Sequence, residues 1–380
     1  MAMYAENKVK SNLLERVDRT TRISEEEIVG LYHLSAEQVC AAGHELRLQL
    51  TDPKIATYGI GGNIDYTNVC TVGCKFCAFY RGKKQEGAFT LTYDDIACQM
   101  REIVRIGGQD VLIQGGVNPE LPMSWYLDML RNLKRDFPQI HVDAFSPEEI
   151  LGLEKLTGKD AYAILAEMKE AGLEGIPGAA AEILVDSVRE RIAESRIRTG
   201  DWFRIMDAAL RLQLHIPWIS MVTGFGESLE DRAAHLVALR DQQDRSLDRY
   251  GHGFVAFKVW PARLAHTLLN GRVVTPTPEQ IVDTYLREIA ICRLALPNVV
   301  NHRAVWRTMG FGVAAQALRS GANDLCGTGS INAIDAAMVK AGKELPDPGI
   351  ALLGDVKKCI SSAGFKPAMR DPFYRVIPEQ

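Results

Sequence analysis

The stretch Ile55 to Arg81 reads IATYGIGGNIDYTNVCTVGCKFCAFYR. Its first half has the β-branched and aromatic character of a strand. Its second half is a loop with three cysteines, Cys70, Cys74 and Cys77, spaced C-x3-C-x2-C. A structural zinc site is normally closed by four ligands, commonly from two C-x2-C pairs. Only Cys74 and Cys77 form such a pair, no histidine is adjacent, and Cys98 falls on a predicted helix well past the loop. Thiolates suit zinc, copper(I) or iron–sulfur clusters. A four-iron cluster takes four ligands, so three cysteines leave one iron open to a small molecule. A three-thiolate zinc site is the competing reading.

Beyond the cysteines, short apolar runs alternate with amphipathic helices. Thr92 is a predicted N-cap, with Ile96, Met100, Ile103 and Val104 on one face and Gly107-Gly108 at the end. Strands are predicted at Val111–Gln114, at IHVDAF, and over 175–177, 216–222, 253–258 and 299–304, with a weaker one over 322–325. Ser146-Pro147-Glu148-Glu149 predicts a cap, a first-turn proline and a capping-box acid. Helices are expected over 201–214, 229–243 and 278–296. With the strand before the cysteines this makes about eight βα units, the number of an α/β fold closed as a (β/α)8 TIM-type barrel. An open doubly wound sheet is the alternative. Residues 1–48 are expected as an N-terminal helical extension, 49–344 as the barrel and 345–380 as a helical tail closing it. Sites in such barrels lie at the C-terminal strand ends, where the cysteines, Gly115-Gly116, Ser146, PGAAAE and TGFGE fall.

The 380 residues are 47% hydrophobic and 24% charged, ordinary for a globular protein. A net charge of -4 argues against nucleic acid as a partner. No apolar run is long enough for a membrane span, and the first residues show no signal-peptide pattern. The eight cysteines do not suggest a disulfide framework, and a reducing cytoplasmic location is expected.

C-x3-C-x2-C is the signature of the radical S-adenosylmethionine superfamily, which this chain resembles, down to the aromatic Phe76 before the third cysteine. The resemblance implies a [4Fe-4S] cluster on Cys70, Cys74 and Cys77, with S-adenosylmethionine on the open iron. Its reductive cleavage gives a 5′-deoxyadenosyl radical, and the protein supplies placement and shielding. Phe76 and Phe79 are then expected beside the cofactor. Gly115 and Gly116 resemble the superfamily's glycine motif, or form a tight turn. Ser146 contacts the cofactor or merely caps a helix, and Glu182 holds the ribose or ammonium group or is a surface acid. Arg198 in RIRTGDW resembles the arginine that pairs with the methionine carboxylate, and Gly224 the adenine-contacting loop.

The resemblance extends through LIQGGVNPEL, FSPEEI, GLEGIPG, AEILVD and GANDL to a subgroup that contains the futalosine-pathway enzymes of menaquinone biosynthesis and the deazaflavin (FO) synthase. The stretches CTVGCKFCAFYR, AEILVDSVRERI and AGFKPAMRDPFYRVI resemble in particular its dehypoxanthine futalosine cyclases. Those enzymes abstract a sugar hydrogen, add the sugar radical to the benzoate ring and restore aromaticity by oxidation with proton loss. Aminofutalosine synthase, the FO synthase subunit or a paralogue with another substrate are the alternatives. Four departures stand out: Gly178-Ala179-Ala180-Ala181 in place of a glycine triplet, TGFGES without a histidine, FKVWPARLAHT, and SINAIDAA at 330–337 in place of two adjacent acids. The expected substrate is nucleoside-like or an aromatic carboxylate, with flavodoxin or ferredoxin as external electron donor. Asp324, His302 and Arg303 are the catalytic candidates. Lys258 and Arg307 are further candidate cations, Asn323 belongs to a family motif, and Tyr80 and Trp306 are candidate stacking residues, with ordinary barrel packing as the plainer role.

Overall fold

A computed structural model describes residues 13–14, 16–264, 267–269, 271, 277–326 and 352–378. Its strands are β1 (Ile55–Tyr58), β2 (Gly61–Asp65), β3 (Asp110–Gln114), β4 (His141–Ala144), β5 (Ile219–Thr223), β6 (Ala256–Pro261), β7 (Asn301–Ala304), β8 (Asp324–Leu325) and β9 (Lys366–Met369). The run predicted as one first strand is therefore two. β1 pairs in parallel with β8 and β9, whereas β2 pairs in parallel with β3. Two glycines flank the bend where a side chain would crowd its neighbours. A Cβ on Gly61 would lie 1.7 Å from Asp110 Oδ1, and one on Gly59 3.1 Å from the Arg370 guanidinium.

One sheet runs β5-β6-β7-β8-β1-β9 and the other β2-β3-β4, and all named pairings are parallel. The fourth wall position, predicted as a strand over 175–177, is reduced to isolated bridges. Gly175 bridges Asp143 and His215, and Gly178 bridges Ile219. Those bridges join the two sheets on one side, and the covalent step from β1 to β2 joins them on the other. The wall is thus a closed barrel rather than an open doubly wound sheet.

The outer helices begin as their sequences dictate. Thr92, Ser228 and Thr277 each form a capping box, with Asp95, Asp231 and Gln280. In the N-terminal extension, Ser35 caps the helix Ala36–Leu50. That helix buries Val39 and Leu46 against Pro278–Ala295, so closely that a Cβ on Gly43 would meet Ala290 Cα at 2.9 Å. Each such apolar side chain contributes roughly 1.5–3 kcal/mol.

The tail expected to be helical is only partly so. After the helix Leu352–Ser362, Gly364 turns the chain at φ +87° and β9 joins the barrel as an edge strand, where Pro367 is tolerated. Arg370 then pairs with the buried Asp324 at 2.6 Å, which also accepts the Thr57 hydroxyl at 2.7 Å. No helix among the described residues is long and apolar enough to cross a membrane.

Candidate active site

The cysteine loop leaves the C-terminal end of β2 and is pinned from both sides. Asn68 donates to Gly87 O and accepts from Phe89 N–H, Cys70 N–H donates to Arg81 O, and Thr71 N–H to Val117 O. Gly73, at φ +66°, makes the turn between the first two cysteines. Gly116 explains its own identity: a Cβ there would meet Val69 O at 2.3 Å and Cys70 Cβ at 2.8 Å. The glycine pair lets the neighbouring strand end approach the loop.

Donors converge on the sulfurs. Cys70 Sγ accepts from Val72 and Val117 N–H, each at 3.4 Å, and Cys74 Sγ from Arg196 Nη1 at 3.3 Å. Cys77 faces the Phe79 and Tyr80 amides. Burial pushes the Cys74 thiol up to about 12 and raises that of Cys77, so the thiolates need a cation among them. Three sulfurs supplied with N–H donors and short of positive charge fit an iron–sulfur cluster.

Beside the sulfurs is a cavity of about 410 Å³, bordered by Phe76, Phe79, Gly115, Gly116, Ser146 and Glu182. Glu182 does not lie on the surface. It takes two 2.6 Å bonds from Arg196, whose other nitrogen is 3.2 Å from the buried Glu148. Burial opposes the Arg196 charge, but Glu182, Cys74 and Glu148 together hold its proton more tightly than water would. Burial raises Glu148, and Arg196 partly offsets this. The expected arginine, Arg198, is elsewhere. It is the N-cap of Thr199–Arg211 and pairs with exposed Glu190 at 2.7 Å. The helix starts at Thr199, ahead of the expected 201; Arg198 is its N-cap and faces outward, while Arg196, two residues before, lies inside.

The expected capping acid Glu149 is also diverted. Ser146 accepts from Glu149 N–H as a cap should, but the Glu149 carboxylate accepts the Ser146 hydroxyl (2.6 Å), the Tyr66 hydroxyl (2.7 Å) and Gly115 N–H (3.2 Å). Burial pushes it up to about 8, against the pull of Ser146 and Tyr66. Gly224, at φ +106°, is at the end of β5 but does not border this cavity, and its N–H is taken by Glu227. Its neighbour Phe225 packs on Phe76 at 5.0 Å. Arg189, absent from the expectations, is fully buried and binds the carbonyls of Ala180, Ala181, Ile183 and Ile197, fixing the loop that carries Glu182. Ala180 in that loop is left-handed at φ +60°, within the stretch where a glycine triplet is expected.

A second cavity of about 470 Å³ continues down the barrel interior past Ala180 and Glu182. Lys258 and Arg303 border it. Lys258 Nζ lies 3.2 Å from the Trp218 ring centre and 4.9 Å from that of Trp260, and burial pushes it down to about 7. Arg303 donates to the Tyr374 hydroxyl at 2.6 Å and to Pro217 O at 3.1 Å.

The other catalytic candidates are not brought there. Asp324 has no exposed surface and is held by Arg370 at 2.6 Å, with Arg303 3.7 Å away on the cavity side. His302 is fully buried, points away from the interior and packs on Phe257 at 5.3 Å. Asn323 accepts from Arg293 and from His302 N–H. Trp306 stacks on Phe311 at 4.8 Å and donates to Cys326 O, whereas Tyr80 borders the cofactor cavity and Arg307 the interior one. Residues 330–337 lie outside the described residues.

A barrel with three donor-fed cysteines beyond the end of β2 and a charged cavity beside them defines a radical S-adenosylmethionine enzyme. Residues 64–239 match the Radical SAM superfamily and residues 251–380 the CofH/MqnC C-terminal region. The chain is 34% identical to the cyclic dehypoxanthine futalosine synthase of Halalkalibacterium halodurans, over 96% of this chain and 94% of that one. It is 36% identical to the 5-amino-6-(D-ribitylamino)uracil–L-tyrosine 4-hydroxyphenyl transferase of Microcystis aeruginosa, over 74% and 76%. In fold it is similar to methylornithine synthase (TM-score 0.67, 15% identity, 94% and 97% covered) and to the hydrogenase maturase HydG of Carboxydothermus hydrogenoformans (0.71, 14%, 98% and 81%). The protein belongs to the radical SAM superfamily and, within it, to the group carrying the CofH/MqnC C-terminal region. Its cofactors are a [4Fe-4S] cluster and S-adenosylmethionine.

Proposed function

We propose that this enzyme cyclises dehypoxanthine futalosine in menaquinone biosynthesis. The observation that carries the reading is the near end-to-end match to a cyclic dehypoxanthine futalosine synthase. When bound, the cluster and S-adenosylmethionine supply a 5′-deoxyadenosyl radical that can take an unactivated hydrogen.

The chain's own residues prepare that event. Cys70, Cys74 and Cys77 would hold the cluster, while Arg196, Glu182 and Ser146 present charges and a hydroxyl to the cofactor. Glu149 fixes the Gly115 backbone against Tyr66. Lys258 and Arg303 put two cations in the interior cavity, where a benzoate carboxylate would find a partner. Trp218 and Trp260 flank Lys258 and would exclude water from an aromatic ring. A flavodoxin or ferredoxin supplies the electron, and the enzyme works in the cytoplasm.

A second reading, transfer of a tyrosine-derived 4-hydroxyphenyl group, rests on the 36% identity to the Microcystis enzyme over a shorter stretch. Reduced, reconstituted protein incubated with S-adenosylmethionine and dehypoxanthine futalosine, followed by mass spectrometry, separates them. The cyclised product is expected; 5′-deoxyadenosine without it overturns the assignment. Product from tyrosine and 5-amino-6-ribitylaminouracil instead supports the second reading.

A further inference from the structure

At the opposite end of the strands from the cysteines, three ligand-type side chains meet. His141 opens β4, Asp143 follows on the same strand face, and His215 lies on the segment bridged to Gly175 ahead of β5. His141 Nε2 is 3.1 Å from Asp143 Oδ1, His215 Nδ1 is 3.1 Å from the same oxygen, and the two nitrogens are 3.2 Å apart. The side chains are 10%, 5% and 6% exposed.

Hydrogen bonding alone does not account for this triangle. If both rings donate to Asp143, the 3.2 Å contact joins two donors. An ion solves it. Atoms bound to one metal at the usual zinc distances of ~2.0–2.1 Å are themselves ~3.0 Å apart in octahedral and ~3.3 Å apart in tetrahedral geometry. The observed edges of 3.1–3.2 Å fall between these values.

The surroundings are those of a metal centre. His141 turns its second nitrogen toward Glu174, whose carboxylate Lys134 holds at 2.9 Å; at 3.8 Å the acid is a charge neighbour, close enough to become the hydrogen-bonding partner of a metal-bound imidazole on a small approach. Gly175 leaves the space open, since a Cβ there would sit 2.0 Å from Asp143 Oδ1. Phe373 covers both rings from below, at 5.1 and 4.8 Å.

We propose that His141, Asp143 and His215 bind a divalent first-row metal ion of the zinc class in the floor of the barrel, separate from the iron–sulfur cluster. Two imidazoles and a carboxylate suit zinc, and three protein ligands leave a position for water. The ion would tie together the wall positions on either side of the fourth, which has only isolated bridges.

The test uses holoenzyme with its cluster loaded, dialysed against micromolar zinc chloride and assayed for zinc and iron by mass spectrometry. One zinc per chain beyond the cluster iron is expected. Asp143→Asn and His215→Ala should lose the zinc and keep the iron, and Glu174→Gln, which spares all three ligands, should weaken zinc binding ~10-fold. Zinc should also raise the melting temperature of the wild type but not of Asp143→Asn. Wild-type holoenzyme that takes up no zinc, or variants that bind it as the wild type does, overturn the proposal.

Discussion

Arg196 sets one guanidinium nitrogen 3.3 Å from the sulfur of Cys74, while its other nitrogen holds Glu182 at 2.6 Å. One buried cation therefore serves both the metal-binding loop and the acid beside the cofactor cavity. Arg196→Met should strand two buried carboxylates, at a cost of ~3–5 kcal/mol. Loss of its N–H donor and its charge should also lower the midpoint potential of the cluster. Anaerobic thermal unfolding and a potentiometric titration followed by electron paramagnetic resonance measure the two effects. An unchanged potential would remove Arg196 from any electrostatic part in the site.

Lys258 predicts a pH-dependent affinity. Burial pushes its amine down to about 7, so above neutrality the free enzyme loses a charge that an anionic substrate needs. KM should rise as pH increases from about 7 to 9. Lys258→Met should raise KM ~10–100-fold, the loss of a charge-assisted hydrogen bond of ~1.5–3 kcal/mol, and should flatten the profile. Stability should move oppositely. Between about pH 7 and the ordinary lysine range the unfolded chain binds the extra proton, so folding gains as pH rises, and the variant lacks that gain. Steady-state kinetics and melting curves across this range check both.

Glu149 gives a window of opposite sign. Burial holds its carboxyl at about 8. Below the ordinary carboxylate range both folded and unfolded forms are protonated. As pH rises from ~4.5 toward 8 the unfolded form gives up its proton first, so stability declines. Glu149→Gln keeps acceptor capacity for Tyr66 and Gly115 and should make the melting temperature less dependent on pH over this span. Equal slopes for the two proteins would place the pH dependence in other groups.

Ala180 occupies a left-handed backbone position at φ +60°, and Arg189 holds its carbonyl at 2.9 Å. A Cβ in that region costs ~1–2 kcal/mol, and the added freedom of an unfolded glycine returns ~0.4–1 kcal/mol of it. Ala180→Gly should raise stability by ~0–1.6 kcal/mol in denaturant titration. A loss of stability would show that the alanine methyl contributes packing the loop needs.

The cysteine spacing and the alternation of apolar runs with amphipathic helices were enough to read the barrel and the class of chemistry, because both signals are local. What escaped depends on distant partners. Arg196 and Arg198 both precede the helix that starts at Thr199, and only the folded chain separates them, Arg196 reaching Glu182 and Cys74 and Arg198 reaching exposed Glu190. Glu149 follows Ser146 at capping-box spacing, yet Tyr66 and Gly115 draw its carboxylate inward. The histidine at 302 reads as a base beside Arg303, but strand alternation turns it to the other face of the wall. GFKPAMRD has too short an apolar pattern to announce a strand, and only its pairing with β1 makes it one.

That pairing also orders events during synthesis. Ile55 and Lys366 are register partners although they stand near opposite ends of the described chain. A nascent chain can lay down its cysteines and most of its helices while β1 still lacks that neighbour. Asp324 likewise stays without Arg370 until the same late residues emerge. The barrel floor is sealed only once Lys366–Met369 have emerged and paired with β1, so a metallocluster delivered earlier would enter a vessel still open at the bottom.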